Sequence, residues 1–377
     1  MYQVGVGSFT SNDKQQKMIA DILESGRISY GPYCKDFEKS FASLHDRKFG
    51  ILSNSGTSSL HVALQTLKEL HGWEDGDEVI VPAATFVATI NIVYHNRMTP
   101  VLADIEPGTW AIDPNRIRDA ITPRTRCIIP VHPFGQPANM RVIQFLAWRH
   151  GLKIIEDSCE CVGAMHEGYS VGSWSDISCF SFYVAHIITT GVGGMSCTNN
   201  PDYASHMRSL VNHGRDNVYI SMDDSDPDRL KEVIGKRFSF PRIGHSFRIT
   251  ELEAALGLEQ LARIASILDR RELLANFLKD KLYGYIDTLA KRPATTNSWM
   301  MFPIIAQGDK KELCEYLEKN GIETRDCLPL TNQPAYDFDE DAYPFAKLLN
   351  ENGFYVGCHQ DLSFDDMRYI AAIIKEF

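Results

Sequence analysis

The stretch LKIIEDSCECVGA, residues 152–164, sets two isoleucines ahead of a Glu-Asp pair and then turns polar. A short run this rich in β-branched residues reads as a buried strand. Asp157 then stands at the strand's carboxyl end, the edge at which open α/β sheets bind their ligands. A carboxylate there needs a cationic partner, because a buried unpaired charge is costly. The protonated ring nitrogen of a bound cofactor would serve. An aspartate that caps the following helix explains the same residue equally well. Cys159 and Cys161 form a C-x-C with no second pair at zinc-site spacing, so they read as core or pocket-lining thiols.

Working outward, the same kind of run recurs at EVIVPA (78–83), TPVLADI (99–105), RCIIPVH (126–132) and ISCFSFY (177–183). Helical patterns separate them: TFVATINIVYHN, NMRVIQFLAWRHG and, earlier, SSLHVALQTLKELHG. This alternation predicts an α/β fold with a mostly parallel sheet covered by helices on both faces. From Thr250 one long helix is expected, running to about Leu282, with Thr250 as its cap and Glu253 closing a capping box. It would lead from a large domain, residues 1–250, into residues 251–377, a small C-terminal α+β domain containing SWMMFPII and KKELCEYLEKNGIETR.

Composition narrows the function. The 377 residues carry a net charge of −11, which argues against an extended nucleic-acid footprint. The N-terminus MYQVGVGSFT lacks the charged and apolar regions of a secretory signal, and no run approaches a membrane span. Nine scattered cysteines fit reduced thiols and a cytoplasmic protein. The polar run SMDDSDPDRLKE, residues 221–232, is expected to be an exposed loop.

Two further segments carry chemistry. SNSGTSSLHVAL (53–64) is a small polar turn feeding a helix, where Gly56 allows close backbone approach and the helix start favours an anion. An ordinary capped helix is the plainer reading of that segment alone. SFYVAHIITTGVGGM (181–195) reads as a strand end, a polar loop holding His186 and a glycine-rich turn.

Taken in order, NSGTSSLHVAL, DEVIVPAATFVATINIVYHNRMTPVLADI, IIPVHPFGQPANM, IIEDSCECVGA, SFYVAH, GVGGM and GHSFRITELEAALGLEQL resemble the DegT/DnrJ/EryC1/StrS sugar aminotransferases. RISYGPYCKDFEKSFA and GIETR fit the same family, so the resemblance spans nearly the whole chain. It implies the aspartate aminotransferase-like fold type I of pyridoxal phosphate enzymes, a homodimer with shared active sites, and a nucleotide-linked keto sugar as substrate. By the family pattern Gly56, Thr57 and Ser181 would hold the cofactor phosphate. Phe86 would lie over the pyridine ring, and Asp157 would pair with its nitrogen, keeping the ring an electron sink.

The chain departs from that pattern at the family's cofactor-tethering lysine, where His186 stands; no lysine occurs between Lys153 and Lys231. Histidine cannot tether the cofactor. The same exchange marks the family's 3-dehydratase branch, where the histidine acts as a base on non-covalently bound pyridoxamine phosphate. An imidazole suits proton transfer near neutral pH. Glu160, where most members have glutamine near the ring hydroxyl, fits that branch. Ser246 in GHSFR replaces an asparagine that reaches the neighbouring subunit's phosphate. Tyr183, His213, Arg215, Arg248, Arg325 and His359 are placed near the substrate by resemblance, Arg325 as a candidate for the sugar diphosphate. His132 either lines the pocket or bonds backbone. Downstream of Cys197 only Cys314, Cys327 and Cys358 occur, too dispersed for an iron–sulfur cluster.

The resemblance therefore implies a cluster-free lyase. It would remove the C3 hydroxyl of a 4-keto-6-deoxy hexose, GDP-linked by analogy, with L-glutamate regenerating pyridoxamine phosphate. An ordinary sugar aminotransferase and a catalytically silent, cofactor-binding partner subunit are the alternatives.

Overall fold

The computed structural model describes residues 4–216, 230–236 and 238–377. Its main sheet is built from β1 (Phe49–Ser53), β2 (Glu78–Pro82), β3 (Thr99–Ala103), β4 (Thr125–Ile128), β5 (Lys153–Asp157), β8 (Ile177–Ser181) and β9 (Gly194–Thr198). Between them, β6 (Met165–His166) and β7 (Tyr169–Ser170) pair only with each other. The sheet order is β1-β9-β8-β5-β4-β2-β3. The run from β3 through β2, β4 and β5 to β8 is parallel, and only β9 opposes its neighbours β8 and β1.

The isoleucine-rich strands are buried on both faces, as parallel strands must be. Val79 and Val81 of β2 pack with Ile155 and the Gly56–His71 helix on one face. Ile80, Ile128 and Ile154 turn to the other, against Ile117, Met140 and Ile143. The helices Gly56–His71, Val87–His95 and Met140–His150 occupy the predicted stretches. The second sheet, of order β10-β12-β11, comprises β10 (Met301–Ile305), β11 (Arg325–Asp326) and β12 (Gly353–Gly357). Buried apolar side chains run without a break from Phe37 and Leu64 to Phe302, Phe354 and Ile370, so both sheets share one core.

Two expectations are corrected. The helix from Thr250 is not continuous: it spans Glu251–Ala262, breaks at Arg263 (φ −108°, ψ 10°) and resumes over Ile264–Leu282. The Arg263 N–H donates to the Gln260 carbonyl, a tightened last turn, while its guanidinium folds back onto buried Glu259. The Thr250–Glu253 capping box is present. The second correction concerns GVGGM. Gly194 and Met195 are not turn residues but open β9, and Gly194 is required by contact: a Cβ there would sit 2.3 Å from the Ser55 carbonyl oxygen. Of the polar run 221–232, residues 221–229 lie outside the described residues, and the helix Leu230–Lys236 begins within it.

Candidate active site

β2, β4, β5 and β8 are parallel, so their carboxyl ends share one edge of the sheet, the edge at which such sheets bind ligands. Asp157 ends β5 there and is only 5 % exposed. Its Oδ2 accepts the Thr89 hydroxyl at 2.8 Å and its Oδ1 accepts the Cys159 N–H at 3.3 Å. Thr89 Oγ1 lies 2.9 Å from Thr85 Oγ1, which completes the chain. Among the described residues no Lys, Arg or His pairs with this carboxylate, and burial raises its pKa against the pull of those two hydrogen bonds. The side chain is thus a buried anion that lacks a cation.

Its neighbour Glu156 points to the opposite face and is fully satisfied. It accepts from the Gly172 and Trp174 N–H groups, from Ser175 Oγ and from His132 Nε2 at 3.1 Å. His132 Nδ1 accepts the Ala138 N–H at 3.0 Å, which leaves the proton on Nε2. His132 is therefore a buried structural residue that bonds backbone, and does not line the pocket.

Gly56 opens the helix after β1, capped by Ser55, whose Oγ takes the Ser58 N–H at 3.0 Å. A Cβ at Gly56 would meet Ser181 Cβ at 2.7 Å and Cys159 Sγ at 2.8 Å. The glycine thus brings the helix start, the end of β8 and the residues after Asp157 into one cradle. Thr57 is exposed in the first turn. Phe86, the cap of the next helix, leaves 61 % of its surface open. Thr89, one turn further on, is what ties that helix to Asp157.

Glu160 is buried, and its Oε2 accepts the Phe134 N–H at 2.7 Å. Burial drives its pKa up to about 7; nearby Asp157 adds to the rise and the Phe134 N–H opposes it. Phe134 is held at φ 57°, a left-handed conformation uncommon for a bulky residue, so this N–H is aimed at some local strain.

His186 follows β8 in a half-buried loop, its N–H donating to the Tyr183 carbonyl at 2.8 Å. Its ring stands edge-on to Tyr183, centroids 6.2 Å apart, and its buried Nδ1 has no hydrogen-bond partner. Burial, and then the Arg271 charge, push its pKa down to about 4, so the ring is neutral at pH 7. The N-terminal segment covers this loop: a Cβ on Gly7 would sit 2.7 Å from Ala185 Cα. Val6 N–H donates to Glu323 Oε2 at 2.9 Å, and Glu323 Oε1 receives Arg325 Nη2 at 2.7 Å. Arg325 is exposed, and its hydrogen bond to the Glu323 carboxylate raises its pKa further. His359 is buried, its Nδ1 is unpartnered, and burial followed by Arg271 lowers its pKa to about 4.

The remaining predicted residues gather elsewhere. Exposed Arg248 reaches His213 Nε2 at 3.0 Å and Ser246 Oγ at 3.4 Å, and the Phe247 carbonyl takes the Asn54 N–H, so this cluster borders the Gly56 turn from outside. Arg215 lies over the rings of Phe238 and Phe240, at 5.8 and 5.4 Å from their centroids. Sequence reading missed Thr89, Glu323 and Arg271. Thr89 had a usable signal in its helical spacing from Phe86, whereas the other two are brought in by tertiary packing alone.

The family's sequence pattern matches residues 10–375. The chain belongs to the DegT/DnrJ/EryC1/StrS aminotransferase family. A GDP-perosamine synthase of Caulobacter vibrioides is 36% identical over 98% of this chain and 97% of its own length. A dTDP-4-dehydro-2,6-dideoxy-D-glucose 3-dehydratase of Saccharopolyspora spinosa is 31% identical over 98% of this chain and 85% of its own. Among solved structures, an Escherichia coli GDP-4-keto-6-deoxy-D-mannose-3-dehydratase with bound hydrated pyridoxal phosphate superposes with a TM-score of 0.89, at 25% identity, covering 99% of this chain and all of that one. The fold is therefore fold type I, and the DegT/DnrJ/EryC1/StrS family holds both amino-sugar synthases and 3-dehydratases. The residues at the sheet edge fit the family's cofactor: Asp157 lacks the cation that a pyridinium nitrogen would supply, and the Gly56 cradle leaves a helix start open to a phosphate.

Proposed function

We propose that this protein removes the C3 hydroxyl of a nucleotide-linked 4-keto-6-deoxy hexose. It would use pyridoxamine phosphate held without a covalent bond and regenerated by L-glutamate. The observation that carries the reading is the side chain after β8. His186 stands at the carboxyl edge of the sheet, and the nearest preceding lysine in the chain, Lys153, lies at the opposite end of β5, bound to Asp176 at 2.8 Å. Four residues of strand, about 13 Å, separate it from Asp157. No tether for the cofactor is in reach from there.

When bound, the cofactor would supply an electron sink for the loss of the C3 hydroxyl. Asp157 keeps the ring nitrogen protonated. Glu160, poised near neutrality, donates its proton toward the ring hydroxyl. Gly56, Thr57 and Ser181 receive the phosphate, and Phe86 covers the ring. His186 is neutral at pH 7, takes the C4′ proton, and as imidazolium is a strong acid for the departing hydroxyl. Tyr183, Arg325 and His359 bound the sugar side. The reading includes a homodimer in which His213, Arg215, Ser246 and Arg248 would serve a second copy's site; the exposure of Ser246 and Arg248 is compatible with that. It also includes a cytoplasmic enzyme and a division of labour between residues 1–250 and 251–377. Among the described residues no helix is long and apolar enough to cross a membrane.

A second reading, transamination to an amino sugar, is favoured by the likeness to the GDP-perosamine synthase. Incubation with pyridoxamine phosphate, L-glutamate and a panel of GDP- and dTDP-linked 4-keto-6-deoxy hexoses separates the two. Loss of the hydroxyl with release of ammonia supports dehydration. A product carrying nitrogen supports transamination, and no turnover supports a silent partner subunit.

A further inference from the structure

Among the described residues Arg271 is the largest fully buried side chain, 1 % exposed, yet no carboxylate pairs with it. Buried cations are expected to be paired or fully hydrogen-bonded. Arg271 takes the second course with backbone groups. Nη1 donates to the carbonyls of Trp299 at 3.0 Å and Met300 at 2.9 Å, Nε donates to Gln360 Oε1 at 3.0 Å, and Nη2 donates to the His186 carbonyl at 3.4 Å. One guanidinium thus joins the Ile264–Leu282 helix, the approach to β10, the segment after β12 and the loop after β8.

That loop needs such a fastener. Its far end is tied where Thr189 exchanges two hydrogen bonds with the Gln260 side chain, at 3.0 and 2.6 Å, and its near end by the turn from Tyr183 to His186. Between these ties the His186 carbonyl has, among the described residues, one hydrogen-bond donor, Arg271. A hydrophobic side chain of similar volume would fill the space but leave three backbone carbonyls and the Gln360 amide oxygen without this donor.

We infer that Arg271 is a positioning residue for His186: it fixes the backbone from which the imidazole projects and sets a permanent cation beside a ring that has to stay neutral. This rests on the reading of His186 as the base. The groups facing the ring are few. Tyr183 stands edge-on from the same loop, and Arg271 comes from the long helix. The N-terminal segment brings Gly7, which has no charge, while His359 and Asp361 face Arg271 from the segment after β12. Of these only Arg271 places a fixed charge on the ring.

The test uses the full chain labelled with ¹⁵N-histidine, and the variants Arg271→Lys and Arg271→Met, each checked for folding by near-UV circular dichroism. In wild type the His186 ring should begin to protonate only near pH 4. Arg271→Lys keeps a cation but loses the planar fork, so His186 should stay neutral at pH 6 while kcat falls about 100-fold at unchanged KM, the signature of a misplaced base. Arg271→Met should raise the His186 midpoint above its wild-type value, with burial still holding it below the usual histidine range, and carry the acid limb of the rate profile with it. If Arg271→Met does not fold, the kcat-against-KM split in Arg271→Lys decides. A His186 midpoint unmoved in folded Arg271→Met, or an unchanged kcat in Arg271→Lys, overturns the inference. The titration needs no substrate. A ring that responds to Arg271 in a protein that makes an amino sugar would leave this inference standing and remove the proposed dehydration.

Discussion

Asp157→Asn should move two quantities in opposite directions. In the protein without cofactor, Asp157 is a buried carboxylate held by one hydroxyl and one N–H, and burial has raised its pKa. Asparagine has the same shape and can be satisfied there. Its Oδ1 would take the Cys159 N–H and its amide would donate to Thr89 Oγ1, whose own hydrogen turns to Thr85 Oγ1, 2.9 Å away. The substitution deletes a charge without orphaning a donor. Burial penalises that charge, so the cofactor-free variant should be more stable than wild type at pH 7. With cofactor the sign reverses. A hydrogen bond between two charged groups becomes one with a neutral acceptor, a loss of about 1.5–3 kcal/mol, or a 10- to 100-fold rise in the Kd for pyridoxamine phosphate. Urea denaturation of the cofactor-free proteins and fluorescence titration with pyridoxamine phosphate give both numbers. A variant that is less stable and binds the cofactor as tightly as wild type would show that Asp157 serves only the local backbone, and the site would lose its central residue.

Other consequences are as direct. Gly56→Ala gains helix propensity but places a methyl 2.7 Å from Ser181 Cβ, so it should destabilise by about 1–3 kcal/mol and weaken phosphate binding. Relief by Ser181→Ala, which keeps the clashing Cβ, would contradict that geometry. Glu160 holds its proton to about pH 7 when folded and to about 4.5 when unfolded, so the folded state binds the extra proton between those values and stability falls as pH rises through them. Glu160→Gln removes that slope. Its stability relative to wild type should climb by about 3 kcal/mol from pH 4.5 to 7.5 in urea titrations, and a flat difference would refute the buried neutral acid. Borohydride treatment of the protein loaded with pyridoxal phosphate should leave every lysine free of a pyridoxyl group by intact-mass analysis. Such a group on a lysine required for turnover would remove the non-covalent reading.

The strands with Ile and Val runs were legible because both of their faces are buried, so the sequence has no choice of residue there. Strands β1, FGILS, and β9, GMSCT, carry glycine, serine and threonine instead, because Gly50 and Gly194 lie within 2.5 Å of a neighbouring backbone oxygen once a Cβ is imagined. That constraint comes from contact and has no period. Asp157 stood out because it ends a strand and Gly56 because it opens a helix, whereas His186, in the loop after β8, stood out because the family pattern has lysine there. Their partners did not: Thr89 is one hydroxyl in an apolar helix, and Arg271 is one charge among several in the run Asp269–Glu272. The break at Arg263 was hidden because the apolar spacing continues across it; only the backbone angles report it.

The claim most exposed to test is that the His186 imidazole moves the cofactor's C4′ proton. In deuterated buffer, with pyridoxamine phosphate and a 4-keto-6-deoxy sugar nucleotide, wild type should exchange one C4′ hydrogen of the cofactor during turnover. His186→Asn should bind pyridoxamine phosphate normally and exchange that hydrogen at least about 100-fold more slowly. Exchange at the wild-type rate in the loaded variant would mean that another group holds the proton, and the proposed chemistry would not stand.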